Sequence, residues 1–170
     1  MEQSEKYDNF PLWIVLLSNL LSLSICGLGF AIMFRLGWIA AIIYLAYILV
    51  LEYRLVKNHC TNCFYWGKIC GFGNGKISSW FFKKGDISQF CLHEMTWNEM
   101  IPDMLVSLIP FVTGIVLLII HFDIKYLIGV ILLIVLSTFG NGFIRGNFAC
   151  KYCRQKEMGC PVDKLFNKGK

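Results

Sequence analysis

Four apolar stretches constrain this chain more than any other feature of its sequence. Each approaches the roughly 20 residues that cross a bilayer as an α-helix, and each is free of charge in its central part. Hydrophobic residues make up 56% of the 170 residues and charged residues only 16%, whereas soluble domains carry about 25% charged residues. The stretches are Leu12–Phe34, Trp38–Leu51 (which reaches span length as Leu36–Tyr53), Met104–Ile120 and Tyr126–Ile144. We therefore predict an all-α integral membrane protein with four transmembrane helices.

The spacing of these stretches predicts two tandem helical hairpins. Short turns separate the members of each pair, and a longer polar segment separates the pairs. The capping pattern of Thr96 and Glu99 predicts where the third helix starts. An acidic N-terminus without a small-residue cleavage site predicts that the first stretch is a retained helix and not a signal peptide. The predicted segments are an N-terminus (1–11), a first hairpin (12–56), a cysteine segment (57–96), a second hairpin (97–144) and a cysteine-containing tail (145–170).

The distribution of basic residues predicts the orientation of the chain. Of the 16 Lys and Arg residues, 13 lie between Arg54 and Lys84 or after Ile144, whereas the two hairpin turns hold only Arg35 and Lys125. Because Lys and Arg accumulate on the cytoplasmic side, we expect a multi-pass protein of the cell membrane with both termini and both cysteine segments in the cytoplasm. The same rule accounts for the net charge of +5, so no nucleic-acid partner is expected.

Six of the eight cysteines form two patterns with the same spacing. Both read Cys-x2-Cys-x6-Cys, both follow a hairpin directly, and they are offset by 90 residues. Since each half contributes two spans, the repeats would share one orientation and be related by an axis along the membrane normal. We therefore expect the two triplets to meet on the cytoplasmic face. They are Cys60, Cys63 and Cys70 in the first half and Cys150, Cys153 and Cys160 in the second.

The two triplets predict metal-binding knuckles, because paired thiolates on one turn bind a metal ion or a cluster iron. An iron–sulfur cluster would use the first triplet with Cys91, and the second triplet would then need a ligand from the first half, a His or an exchangeable group. A structural zinc would use the Cys-x2-Cys pairs of both halves and leave the third cysteines unused. The repeated third cysteine favours iron–sulfur slightly over zinc. The candidate ligands are Cys60, Cys63, Cys70, Cys91, Cys150, Cys153 and Cys160.

Other interpretations of these side chains stay open. Disulfides would require an oxidising compartment and therefore the inverted topology. His59 and His93 stand close to cysteines in the sequence, and we favour polar interface residues over spare ligands. Cys26 lies inside the first apolar stretch, where a small buried thiol is ordinary.

The part of the cysteine segment between Ile77 and Phe90 combines aromatic and basic residues. Trp80 and Phe81 stand close to Lys83 and Lys84, a combination typical of a short helix in the lipid headgroup layer. A surface for docking a protein partner is the alternative.

Catalytic signatures are missing from the sequence. It contains no Walker A loop, no Gly-x-Ser-x-Gly elbow and no His-Glu-x-x-His motif, and the predicted spans hold no buried charge of the kind that marks ion pathways. We identify no catalytic residue and no small-molecule substrate. We expect an accessory electron-transfer subunit, in contact with lipid and with other subunits of a membrane complex. The alternative is a non-redox scaffold or assembly protein in which zinc joins the two repeats.

Overall fold

A computed structural model describes residues 6–92 and 96–161 of the chain. Predictions that fall on other residues, including that for His93, lie outside the described residues. The described part is built from helices and loops with one isolated β-bridge between Tyr7 and Cys153. The helices are α1 (Leu12–Leu36), α2 (Trp38–Asn58), α3 (Asn74–Phe81), α4 (Ile87–Leu92), α5 (Trp97–Ile120), α6 (Ile124–Val135), α7 (Asn141–Ile144) and α8 (Gln155–Gly159).

Within the described residues, four helical segments are long and apolar enough to cross a membrane, as many as the sequence predicts. They are α1, α2 with the 3-10 turn that follows it, α5, and one continuous helix from Ile124 to Cys150. The last contains α6 and α7 with a π-helical turn after each, at Leu136–Gly140 and Arg145–Cys150. The relation of the two hairpins by a symmetry axis stays a prediction.

Two of the spans extend beyond their predicted ends. α2 continues to Asn58, and the fourth helix continues to Cys150 instead of ending at Ile144. A span that is predicted from apolar residues ends at the first charged residue, whereas a helical backbone continues until a residue breaks it. Arg145 therefore lies on the last turns of a helix, where its guanidinium donates to the Ser22 hydroxyl at 3.1 Å.

The spans bury little of their surface within the chain. Only 11% to 28% of the most apolar part of each span is buried, and the buried residues of the central cluster are Leu21, Ile25, Ile32 and Leu133. The outer faces of the spans are apolar and exposed. These faces are suited to contact with lipid or with other membrane helices.

A proline in α5 leaves one backbone carbonyl without its helical donor, and a side chain of α2 supplies the missing hydrogen bond. Pro110 has no N–H, so the carbonyl of Val106, four residues earlier, loses its helical partner. The Tyr44 hydroxyl of α2 donates to this carbonyl at 2.7 Å. Tyr44 itself is buried against Gly29 of α1, where a Cβ atom would overlap the tyrosine ring. A small residue on α1 and a hydroxyl on α2 thus allow α5 to carry a proline inside an apolar layer.

We predict that Gly29→Ala destabilises the bundle by about 1–3 kcal/mol, the usual cost of overpacking. The added methyl group displaces Tyr44 and exposes the Val106 carbonyl to lipid. Gly27→Ala is the matched control on the same helix, because a Cβ at Gly27 meets no atom within 4 Å. Thermal unfolding of both variants in detergent tests the prediction, and equal stabilities would contradict it.

Candidate functional site

Both cysteine segments lie at one end of the helix bundle, and residues 7–10 connect them. The Tyr7 N–H donates to the carbonyl of Tyr152 at 3.2 Å, and the Phe10 N–H donates to that of Ile69 at 2.9 Å. The Asn9 carboxamide accepts from the Ile69 N–H at 3.0 Å. The N-terminal residues therefore bond to the first cysteine segment and to the second, and the predicted meeting of the two segments occurs in the structure.

The two Cys-x2-Cys pairs share a local backbone conformation. The N–H of Cys63 donates to the carbonyl of Cys60 at 3.4 Å, and that of Cys153 to the carbonyl of Cys150 at 3.3 Å. A second bond of this kind follows in each half. The Trp66 N–H donates to the Cys63 carbonyl at 3.0 Å, and the Lys156 N–H donates to the Cys153 carbonyl at 3.3 Å. The same turn thus presents the cysteines in both halves.

Tyr65 is the buried centre of the first segment, with only 1% of its surface exposed. Its hydroxyl donates to the Tyr7 carbonyl at 2.6 Å and accepts from the Arg154 N–H at 3.0 Å. Its ring packs beside Phe10, with the ring centroids 5.6 Å apart. One side chain therefore joins the N-terminal residues and both cysteine segments.

Gln155 occupies the equivalent position of the second segment, 90 residues after Tyr65, and is 2% exposed. Its carboxamide oxygen accepts from the Phe64 N–H at 2.8 Å. Tyr65 and Gln155 each lie two residues after the second cysteine of their triplet. Tyr65 accepts from the Arg154 N–H and Gln155 accepts from the Phe64 N–H, so each accepts from the residue that directly follows the second cysteine of the other half. We call these two bonds the reciprocal pair.

Backbone N–H groups point at three of the sulfur atoms. The Tyr65 N–H bonds to the Cys63 thiol, and the Gln155 N–H to the Cys153 thiol, again at equivalent positions. The Gly75 N–H donates to the Cys70 sulfur at 3.4 Å. Such bonds stabilise thiolates and tune the metal that thiolates hold.

The thiols of the two segments are close enough to interact electrostatically. Coulombic repulsion from Cys153, Cys70 and Cys160 contributes to the raised pKa of Cys63. The third cysteine of each triplet therefore belongs to the group of thiols around Cys63. This grouping differs from the predicted iron–sulfur set, which takes only the first triplet with Cys91, and from the predicted zinc set, which leaves out both third cysteines.

The remaining candidate ligands lie at the edge of this group. Cys150 is exposed and interacts with Cys153. Cys91 on α4 accepts from the Gln155 carboxamide N–H at 3.5 Å, so it is connected to the group through that side chain. Within residues 6–92 and 96–161, no three His, Cys, Asp or Glu side chains stand at metal-ligand spacing. The sulfur donors and their N–H partners fit a metal–thiolate centre in chemistry, but binding would require the thiols to approach one another.

Burial controls the acidity of these thiols. Desolvation raises the pKa of Cys63 to about 12, although the Tyr65 N–H bond opposes it. The pKa of Cys153 is raised for the same main reason. Without a metal ion to compensate the charge, these side chains are neutral thiols at pH 7.

Sequence reasoning did not identify Tyr65 and Gln155 as part of the site. The available signal was the 90-residue offset, which places both two residues after the second cysteine of their triplet. When the two halves are aligned, a tyrosine is paired with a glutamine, and the two residue types do not look equivalent. The side chain of each nevertheless carries an oxygen that accepts a hydrogen bond.

We predict that alkylation of Cys63 by iodoacetamide in metal-free, reduced protein keeps accelerating from pH 8 to pH 11. The thiolate is the reactive form, and its fraction rises until the pH passes the raised pKa. In the protein unfolded in urea, the alkylation rate of the same thiol should level off above about pH 9, near the ordinary cysteine pKa. Mass spectrometry of the labelled peptides gives the rates. A plateau near pH 9 in the folded protein would contradict the prediction.

No protein-family model, curated protein or solved structure matches the chain.

Proposed function

We propose that this chain is a membrane-anchored metal–thiolate protein and an accessory subunit of a membrane electron-transfer complex. The observation that carries the proposal is the reciprocal pair, which joins the turn after Cys63 to the turn after Cys153 and so brings the two cysteine triplets to one place. Four thiols from two segments would bind one centre shared between the halves of the chain.

The third cysteines of the two triplets, Cys70 and Cys160, favour an iron–sulfur cluster over zinc. Cys70 and Cys160 would have no role in a zinc site built from the two Cys-x2-Cys pairs, yet both interact with Cys63. A thiolate-bound iron–sulfur cluster supplies one-electron redox chemistry when bound. The protein would contribute the ligands, and the N–H groups of Tyr65, Gln155 and Gly75 would stabilise their negative charge.

The spans support the role of an accessory subunit. Their apolar faces are largely exposed, which suits contact with lipid and with further membrane helices. The described residues present no catalytic constellation that would favour an independent enzyme, and the chain would thus hold its redox centre at the membrane next to a partner complex.

A structural zinc in a non-redox scaffold is the second candidate. The reciprocal pair favours it, because hydrogen bonds between the two halves already make this region a joint, and a tetrahedral zinc would strengthen such a joint. Cys60, Cys63, Cys150 and Cys153 would be its ligands.

We predict that protein purified without oxygen contains iron and acid-labile sulfide and absorbs broadly near about 400 nm. Cys63→Ser and Cys153→Ser should each remove most of the iron, because one shared centre needs ligands from both halves. Cys70→Ser and Cys160→Ser should have comparable effects. Cys26→Ser, inside α1, is the matched control and should retain the iron. Elemental analysis, sulfide determination and the visible spectrum provide the measurements.

Each other result rejects a defined part of the proposal. Colourless protein with about one zinc per chain would replace the electron-transfer role with the scaffold. Protein that contains neither metal would reject both candidates. Loss of metal in the variants of only one triplet would reject the shared centre but not metal binding.

We also propose that the cysteine segments lie in the cytoplasm, on the support of the basic residues around them. We predict that a membrane-impermeant maleimide labels Cys150 only after cells are permeabilised, because Cys150 is exposed at the cysteine end. In a Lys125→Cys variant, the added thiol lies at an exposed position on the first turn of α6, at the opposite end, and should be labelled in intact cells. The reverse pattern would place the cysteines outside and favour disulfides.

A further inference from the structure

The helix α3 presents an apolar face to the surroundings. Ile77, Trp80 and Phe81 are 41%, 71% and 74% exposed, and their spacing places them on one side of the helix. Single exposed apolar residues are normal on a protein surface, whereas a contiguous exposed apolar patch, such as these three side chains form, is typical of an interaction site.

The opposite side of α3 is fixed to the protein. Gly75 and Ser78 are buried, and Phe82, directly after the helix, packs edge-on against Tyr53 of α2 with the ring centroids 5.8 Å apart. Tyr53 stands between Glu52 and Arg54, the first two charged residues of α2. The contact therefore holds α3 at the level where α2 leaves the apolar layer of the membrane.

Basic side chains surround the apolar face. Lys76 lies on α3, and Lys83 and Lys84 follow its last turn, all three exposed. The acidic residue in this neighbourhood is Asp86, which hydrogen-bonds to the N–H of Ser88 at 2.9 Å. The patch is thus apolar at its centre and positively charged at its rim, the combination that anionic lipid headgroups attract.

The first turn of α3 contacts the cysteine site directly. The Gly75 N–H donates to the Cys70 sulfur, and the Gly75 carbonyl accepts from the Gly67 N–H at 2.9 Å. No side chain fits at Gly75, because a Cβ atom would overlap the carbonyl of Tyr65. A displacement of α3 therefore changes the surroundings of Cys70.

We propose that the face of Ile77, Trp80 and Phe81 docks on anionic phospholipid headgroups and that this docking shields the Cys70 thiol. The aromatic rings enter the headgroup layer, and the ammonium groups of Lys76, Lys83 and Lys84 pair with lipid phosphates. A bilayer that lacks anionic lipid holds α3 more weakly and leaves Cys70 more accessible. The proposal concerns the metal-free chain and stands independently of the metal centre.

The first test locates Trp80 relative to the bilayer. The full chain is reconstituted into phosphatidylcholine vesicles with and without phosphatidylglycerol, and its fluorescence is quenched with lipids brominated near the headgroup. The difference between wild type and Trp80→Phe isolates the contribution of Trp80 from those of the other tryptophans. We expect quenching of Trp80 that increases with phosphatidylglycerol and decreases in high salt.

The second test measures the coupling to the cysteine site. Alkylation of Cys70 by N-ethylmaleimide in metal-free protein should be about threefold or more slower in phosphatidylglycerol vesicles, as expected for a surface held by several basic residues. The double substitution Lys83→Gln and Lys84→Gln should abolish the difference, while Lys125→Gln in the opposite turn should preserve it. Alkylation of the exposed Cys150 in the same samples serves as the internal reference.

The outcomes separate the two parts of the proposal from the alternatives. Unquenched Trp80 in both vesicle types would overturn lipid docking and leave a protein partner as the occupant of the patch. Quenched Trp80 with equal Cys70 rates in both lipids would overturn the coupling. Equal quenching in both lipids would reject the requirement for anionic headgroups.

Discussion

The reciprocal pair of hydrogen bonds is the constraint on which the cysteine end depends. Tyr65 and Gln155 are both buried and each accepts from a backbone N–H of the other segment. Burying an N–H without a partner costs about 1–3 kcal/mol, so each half stabilises the turn that presents the cysteines of the other. The turns that carry the cysteines consequently meet at a joint that neither half could form alone. A metal centre of the kind proposed, with iron or with zinc, would have its ligands positioned by this exchange.

The membrane-spanning part follows from a different constraint, which is that every backbone polar group in lipid needs a partner within the protein. Helices meet it over most of their length; of the two prolines inside α5, Pro110 lies in the apolar middle and removes one backbone donor there. The Tyr44 hydroxyl replaces the missing donor, and Gly29 provides the space for the tyrosine ring. Three helices thereby become interdependent at one carbonyl, in a bundle that otherwise buries little of its surface.

The sequence was sufficient for the spans and for the meeting of the cysteine segments, because span length and absence of charge are properties of contiguous residues and the 90-residue offset is visible by inspection. It was insufficient for the helix ends. A span predicted from apolar residues ends at the first charged residue, whereas the helix continues through charged residues such as Arg145. It was also insufficient for α3, which begins at Asn74 and ends at Phe81, because the glycines before it obscure its first turn. The ligand grouping around Cys63 depends on tertiary contacts that no spacing rule encodes.

The π-helical turns of the fourth span bear on how the two halves remain aligned. An additional residue in an α-helix rotates everything that follows by about 100° around the axis, which would swing a cysteine pair away from its counterpart. A π turn accommodates an additional residue locally. The helix that ends at Cys150 is longer than its counterpart α2 and contains two such turns. Each π turn therefore takes up an additional residue without rotating the cysteine pair at the end of the helix.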